Sequence, residues 1–292
     1  MKRTHLPAVT ASRTSPSLPR LSPREFAATV ATVFEALKQS DTIILGLLHK
    51  ASARRKPDGS EVTQADTRAE QLLRKRLAEK WPTDAILGEE LGGSIVPSGR
   101  CWLLDPIDGT ASFVLGMPMF GTLVALLIDG EPVFGCIHLP ALRETTYAAT
   151  GLGCWLTREW GRPKRVHVGP PRPLAEAKVG LTVFKERSLA RRPEAHGVNE
   201  LPRRVGRFRM VGDCVQYPLL CRGALDAAVD PSMKPWDIGA LVPCVLEAGG
   251  VVSDLDGETS RLIERTTFVA ASSARLLRQI REQVRESAQV EE

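Results

Sequence analysis

An apolar strand that ends in two carboxylates constrains this chain more than any other feature: Cys101-Trp-Leu-Leu-Asp105-Pro-Ile-Asp108-Gly-Thr110. Proline fixes its own φ and pushes Asp105 to an extended conformation, and Gly109 permits a tight turn, so both acids aim at one point beyond the strand end. The Ile107 carbonyl lies between them. Two acids this close repel, and each resists ionising unless a cation or a proton sits between them. An oxygen-only donor set selects a hard cation such as Mg²⁺ or Mn²⁺, since no His or Cys ligand of the kind zinc prefers stands nearby. The plainer reading is that the aspartates cap a helix starting at Gly109-Thr110.

Two further acidic segments are ambiguous alone. Gly88-Glu89-Glu90 ends a short apolar run and reads as a solvated turn or as a source of ligands. Lys234-Pro-Trp-Asp237 opens an amphipathic helix with Ile238, Leu241, Val242, Val245 and Leu246 at helical spacing and Gly249-Gly250 as its stop. The helix dipole favours an ionised Asp237 in the first turn, whether as a ligand or as an ordinary N-terminal acid.

Ser22-Pro-Arg-Glu25 is a capping box that predicts a helix carrying Phe26, Val30, Val33, Phe34 and Leu37 and running into the apolar stretch 43–48. A turn is expected at 56–60, followed by a second helix capped by Thr63 with Ala65, Ala69, Leu72, Leu73 and Leu77 on one stripe. Strands are expected at 85–87, 101–104, 120–128, 133–138 and 145–149, with Asp129-Gly130 as a hairpin turn. The basic stretch 158–173 reads as a loop near a domain boundary. Beyond it, strands at 179–183, 208–211, 225–229, 251–252 and 268–270 alternate with helices at 213–222, 236–248 and from Ser273 onward. That rhythm predicts an α/β class, with an α+β N-terminal half (23–160) and an α/β C-terminal half (161–286), preceded by a disordered basic tail (1–22).

The net charge of +5 dissolves on inspection, because residues 1–24 hold five basic residues and no acid, leaving 34 of each sign elsewhere. A neutral body argues against nucleic acid. The tail lacks the apolar core of a signal peptide, and prolines at 7, 16 and 19 interrupt the helix a transit peptide would use. No stretch approaches the roughly 18 uncharged apolar residues of a membrane span. Six cysteines without a Cys-x-x-Cys pair read as buried free thiols, which points to the cytoplasm.

Together, Val62-Thr63-x-x-Asp66, Gly88-Glu89-Glu90, Trp102-x-x-Asp105-Pro-Ile-Asp108-Gly-Thr110, Lys234-Pro-Trp-Asp237 and Glu247-Ala-Gly-Gly250 resemble, in order and spacing, the motifs of the inositol monophosphatase superfamily of metal-dependent, lithium-sensitive phosphatases. The resemblance spans nearly all of the chain after the tail. It implies a layered αβαβα sandwich of the inositol monophosphatase and fructose-1,6-bisphosphatase type, commonly a homodimer. It also implies two or three Mg²⁺ ions held by Glu89, Asp105, Asp108, Asp237 and the Ile107 carbonyl. Asp66 and Thr110 would pair and, with Glu89, activate the attacking water, while the amides of Gly109 and Thr110 hold the phosphate.

Within the superfamily, Phe120-Gly-Thr-Leu-Val-Ala-Leu-Leu and Gly212-Asp213-Cys214-x-x-Tyr217 resemble the histidinol-phosphate phosphatase branch. That implies Gly212, Asp213, Cys214 and Asp230 as substrate contacts, with an acid at 213 meeting a cationic amine or imidazolium; Asp213 also reads as a simple helix cap. Ala111, Val215 and Pro218 depart from the pattern and bear on the substrate while leaving the metal site untouched. The implied reaction is hydrolysis of a small phosphate monoester, L-histidinol phosphate to L-histidinol and phosphate, by direct attack of metal-activated water. Inositol 1-phosphate, another sugar phosphate or a nucleotide 3′-phosphate are the alternative substrates, and a non-catalytic metal or phosphate sensor is the alternative of another class. A covalent route fits less well, since the acids are spaced Asp-x-x-Asp-x-Thr and no Cys lies six residues before an Arg. His138 reads as structural, and the cluster Arg191, Arg192, Arg203, Arg204, Arg207 and Arg209 as a substrate mouth or a solvated face.

Overall fold

The computed structural model describes residues 19–50, 52–56, 61–182 and 197–290. Most of the expected tail, the turn after Lys56, and Arg191 and Arg192 lie outside the described residues. Helix α1 (Pro23–Leu47) begins at the anticipated box: the Ser22 hydroxyl accepts the Glu25 N–H, and the Glu25 carboxylate accepts the Ser22 N–H at 2.8 Å. It runs unbroken through the second apolar stretch. Two short strands, β1 (Arg54–Arg55) and β2 (Glu61–Val62), pair antiparallel ahead of α2 (Gln64–Lys80).

Seven strands form the first sheet: β3 (Ala85–Gly88), β4 (Arg100–Asp108), β5 (Gly121–Ile128), β6 (Glu131–Leu139), β7 (Glu144–Ala149), β8 (Gly153–Arg158) and β9 (Lys164–Arg165). They lie in chain order, with β3–β4 parallel and every other pair antiparallel. Asp129 and Gly130 turn the β5–β6 hairpin with positive φ at both positions, as a two-residue turn of right-handed strands requires. The short helix α3 (Thr110–Val114) follows β4. Strand β8 lies between the expected strand at 145–149 and the expected loop at 158–173, where the sequence pattern predicts no element. It pairs along its whole length with β7, and the expected loop 158–173 is interrupted by β9, which adds to the other edge of β8.

The second sheet takes the order β11 (Arg207–Met210), β10 (Lys178–Leu181), β12 (Ala227–Asp230), β14 (Phe268–Ala271) and β13 (Val251–Ser253). The first three are mutually parallel, and β14 alone runs antiparallel, against both its neighbours β12 and β13. The expected helix at 213–222 is a 3-10 turn, Asp213–Val215, leading into α4 (Gln216–Cys221), with Pro218 seated in the first turn, where its missing N–H costs nothing. Helices α5 (Pro235–Glu247) and α6 (Ala274–Val290) complete the fold.

Burial sorts these elements into layers. Leu37, Leu73 and Leu77 of α1 and α2 pack with Trp102, Leu104 and Phe134 on one face of the first sheet. Cys101, Leu103 and Leu123 on its other face share a core with Tyr217, Leu241 and Val245 and with Ala228, Phe268 and Ala270 of the second sheet. Val179, Val229 and Val269 on the far side of that sheet pack under Leu276 and Ile280 of α6. The result is the αβαβα sandwich, and strand β4, covered on both faces, carries its acids out at one end. All six cysteines are free and buried. No described helix is long and apolar enough to cross a membrane.

Candidate active site

Strand β4 loses register with β5 between Asp105 and Asp108, and this irregularity re-aims the two acids. The Ile107 N–H donates to Asp105 Oδ1 at 3.0 Å, closing the turn through the carboxylate itself. Gly109 follows at φ 88°. A Cβ there would lie 2.7 Å from Asp213 Oδ2 and 3.0 Å from the Met119 carbonyl oxygen, so the turn needs glycine for both conformation and room.

Asp237 arrives from the other half of the chain on the third residue of α5, where its Oδ2 accepts the Lys234 N–H at 2.7 Å. Ligand atoms of Asp105, Asp108 and Asp237 all lie within 4.8 Å of one another. Burial first, then the neighbouring acids, raises Asp105 and Asp108 well above the usual carboxylate range, and burial pushes Asp237 up to about 8. Three converging carboxylates that resist ionisation call for a proton or a cation. The donors are all oxygen, with no thiolate or imidazole among them, so the residues fit a hard divalent ion.

Glu89 stands at the end of β3, its N–H donating to the Leu104 carbonyl at 3.0 Å, which brings it beside Asp105. Lys56 reaches across to Glu89 at 2.7 Å and to Glu90 at 2.6 Å. Burial works to lower the Lys56 ammonium, but its bonds to the two glutamates outweigh that and hold it above its ordinary value. Burial pushes Glu90 up to about 7 despite the lysine. Nothing in the sequence marked Lys56, whose partners are more than thirty residues away.

Thr63 caps α2 and donates from its N–H and hydroxyl to Asp66 Oδ2, at 2.8 and 2.6 Å. Asp66 Oδ1 in turn accepts the Thr110 hydroxyl at 3.2 Å, and the Ile107 carbonyl competes for the same proton at 3.0 Å. A hydroxyl has one proton. Were the Ile107 carbonyl to ligate a cation, that proton would go to Asp66 and leave the Thr110 lone pairs free to accept a hydrogen bond.

Gly212 and Asp213 both have positive φ, and no side-chain bond caps the turn they begin. The Asp213 carboxylate instead stands over Gly109, with burial pushing it up to about 6. Cys214 is buried beside the acids: its backbone N–H donates to Asp108 Oδ2, and its thiol lies against the same carboxylate. Asp230 is buried, its Oδ2 accepting from Gln216 Nε2 and the Tyr217 hydroxyl at 2.5 Å each. Burial pushes Asp230 up to about 6. Arg207 and Arg209 lie exposed on edge strand β11, and Arg203 pairs with Glu200. His138 is buried between Thr145 at 2.8 Å and Asp41 at 2.9 Å, away from the acids.

Fold and site define a hydrolase of phosphate monoesters that depends on a metal ion. The chain belongs to the inositol monophosphatase family, whose pattern it matches over residues 27–289. It is 38% identical to the histidinol-phosphatase of Chlorobaculum parvum over 75% of this chain and 82% of that one. It is 41% identical to the histidinol-phosphatase of Mycobacterium tuberculosis over 69% of this chain and 77% of that one. The inositol-1-monophosphatase ImpA of Mycolicibacterium smegmatis is 33% identical, with 86% of this chain and 90% of that one covered. Among solved structures, an inositol monophosphatase from Zymomonas mobilis superposes with a TM-score of 0.76 at 26% identity, covering 91% of this chain and all of that one.

Proposed function

We propose that this chain hydrolyses L-histidinol phosphate to L-histidinol and phosphate, with Mg²⁺ as its metal and Mn²⁺ as a substitute. The observation that carries the substrate is the Asp213 carboxylate placed over Gly109. The amides of Gly109 and Thr110 hold the phosphate in this reading, so a carboxylate directly above them meets a substrate whose ammonium lies close to its phosphate ester. A polyol hydroxyl also donates to that carboxylate, but an ammonium adds the attraction of a full opposite charge, so the uncharged polyol gains less. The kinship with histidinol-phosphatases at 38 and 41% identity supports the same substrate. Asp230, set with Gln216 and Tyr217, backs the same wall, which Gly212 and the Cys214 amide complete.

Glu89, Asp105, Asp108, Asp237 and the Ile107 carbonyl would hold two or three ions. Bound there, Mg²⁺ supplies charge neutralisation at the phosphoryl oxygens and lowers the pKa of water from about 15.7 towards 7. The protein's part is orientation and proton handling. Thr110, its own proton given to Asp66, would accept one hydrogen bond from the attacking water, and the Glu89 carboxylate would accept the water's other proton and take it up as the oxygen attacks. The Gly109 and Thr110 amides fix the phosphorus for in-line displacement. Segments 23–160 supply most ligands, and 161–286 add Asp237 and the substrate contacts. A cytoplasmic homodimer fits the family and the six free thiols.

The test compares kcat/KM on histidinol phosphate, inositol 1-phosphate and a nucleotide 3′-phosphate, with and without Mg²⁺. Preference for histidinol phosphate by tenfold or more supports the reading, about the discrimination one charged contact provides. Preference for inositol 1-phosphate would transfer the assignment to that ester, as the likeness to ImpA favours. Stereochemistry at a chiral phosphorus should invert, and retention would reveal a phosphoenzyme.

A further inference from the structure

Helix α2 presents a second acid one turn after Asp66, and i,i+4 spacing puts both on the same face. Glu70 has 0% exposure and takes no part in the contacts described so far. Its Oε2 accepts the Glu90 N–H at 2.7 Å, and its Oε1 accepts the Leu91 N–H at 3.2 Å and Arg74 Nε at 2.7 Å. Arg74 closes the far side by donating to the Gly92 carbonyl. Gly88 and Gly92 exchange both backbone hydrogen bonds across the turn, at 3.0 and 3.1 Å. The carboxylate therefore sits inside the turn as an anion in a ring of N–H donors.

The fit leaves no slack. A Cβ on Gly88 would fall 2.0 Å from Glu70 Oε1. Glu89, lying between Gly88 and Glu90, is thus anchored through both neighbours, and its own N–H ties it to Leu104, the residue before Asp105. With Asp66 on Thr110 and Glu70 on the Glu89 turn, one face of α2 sets the spacing between the two water-handling groups.

We propose that Glu70, braced by Arg74, is a positioning residue that holds the Glu89 turn at the distance a metal shared with Asp105 requires, and so sets metal affinity. The proposal rests on Glu89 being a metal ligand. A purely structural Glu70 would govern melting temperature alone, whereas a positioning residue governs metal dependence.

The experiment measures Mn²⁺ binding by the spin-resonance signal of free Mn²⁺, together with Mg²⁺ half-saturation, kcat, KM and melting temperature, in wild-type, Glu70→Gln and Glu89→Gln. In Glu70→Gln the amide keeps its shape but turns a donor towards other donors. The expected result is Mn²⁺ affinity weakened about tenfold, the typical cost of losing a group that orients a ligand, with KM for the ester within twofold. Wild-type Mn²⁺ affinity in Glu70→Gln, beside a deficient Glu89→Gln, overturns the proposal and leaves the site assignment standing. Wild-type affinity in Glu89→Gln overturns the assignment itself, and the proposal with it. Should Glu70→Gln fail to fold, Arg74→Met makes the same test: weaker Mn²⁺ binding supports the proposal, and unchanged binding overturns it.

Discussion

The two walls of the site are built to different standards. On the wall from the first sheet each acid is held by a defined donor: Asp105 by the Ile107 N–H, Asp66 by Thr63 and Thr110, Asp108 by the Cys214 N–H, and the Glu89 turn by Glu70. On the other wall Asp213 stands at positive φ on a 3-10 turn beside the exposed edge strand β11. Tight anchoring suits groups whose spacing sets reactivity, since small misplacements cost large factors in rate. A looser wall lets substrate preference change without disturbing the chemistry.

Changes on the anchored wall should act on every substrate. Asp105→Asn should lower kcat by about 10²–10³-fold on all esters alike, read in steady-state assays at saturating Mg²⁺. If one ester escaped, chemistry and selectivity would not be separable. Thr110→Ala should cost about a hundredfold, the scale of a lost proton-transfer group, with KM nearly unchanged.

Smaller effects probe the charge balance. In the metal-free protein Asp105, Asp108 and Asp237 have folded-state pKa values raised above their unfolded ones, the last to about 8. The folded state then holds protons that the unfolded state releases, so the contribution of these groups to stability is full below about pH 4 and is lost as pH rises through 8. In EDTA the melting temperature should fall on the order of 5 °C between pH 5 and 8, and excess Mg²⁺ should abolish the slope. Lys56→Met removes an ammonium that would compete for Glu89 with a metal bound there. Half-saturating Mg²⁺ should drop about two- to fivefold, the range of a partly exposed ion pair, and a rise would make Lys56 an aid to metal binding.

What the sequence made legible was local. The β4 end, the box at Ser22, the Thr63 cap and Asp237 in a first turn each rest on residues within four positions of one another, and all four stand where expected. The contacts that escaped reading are distant ones. Lys56 finds its glutamates 33 and 34 residues on, and Glu70 finds its turn 20 residues on. Glu70 lay in plain view on α2, but the apolar stripe alone described that helix. Strand β8 escaped for another reason: its partner β7, more than its own composition, makes it a strand.

The division of labour between the walls is tested most directly by Asp213→Asn assayed on two esters. There kcat/KM on histidinol phosphate should fall about tenfold to a hundredfold, the worth of one charged hydrogen bond, while that on inositol 1-phosphate stays within twofold. An equal fall on both would contradict it, placing Asp213 in the chemistry and leaving selectivity without a home on this wall.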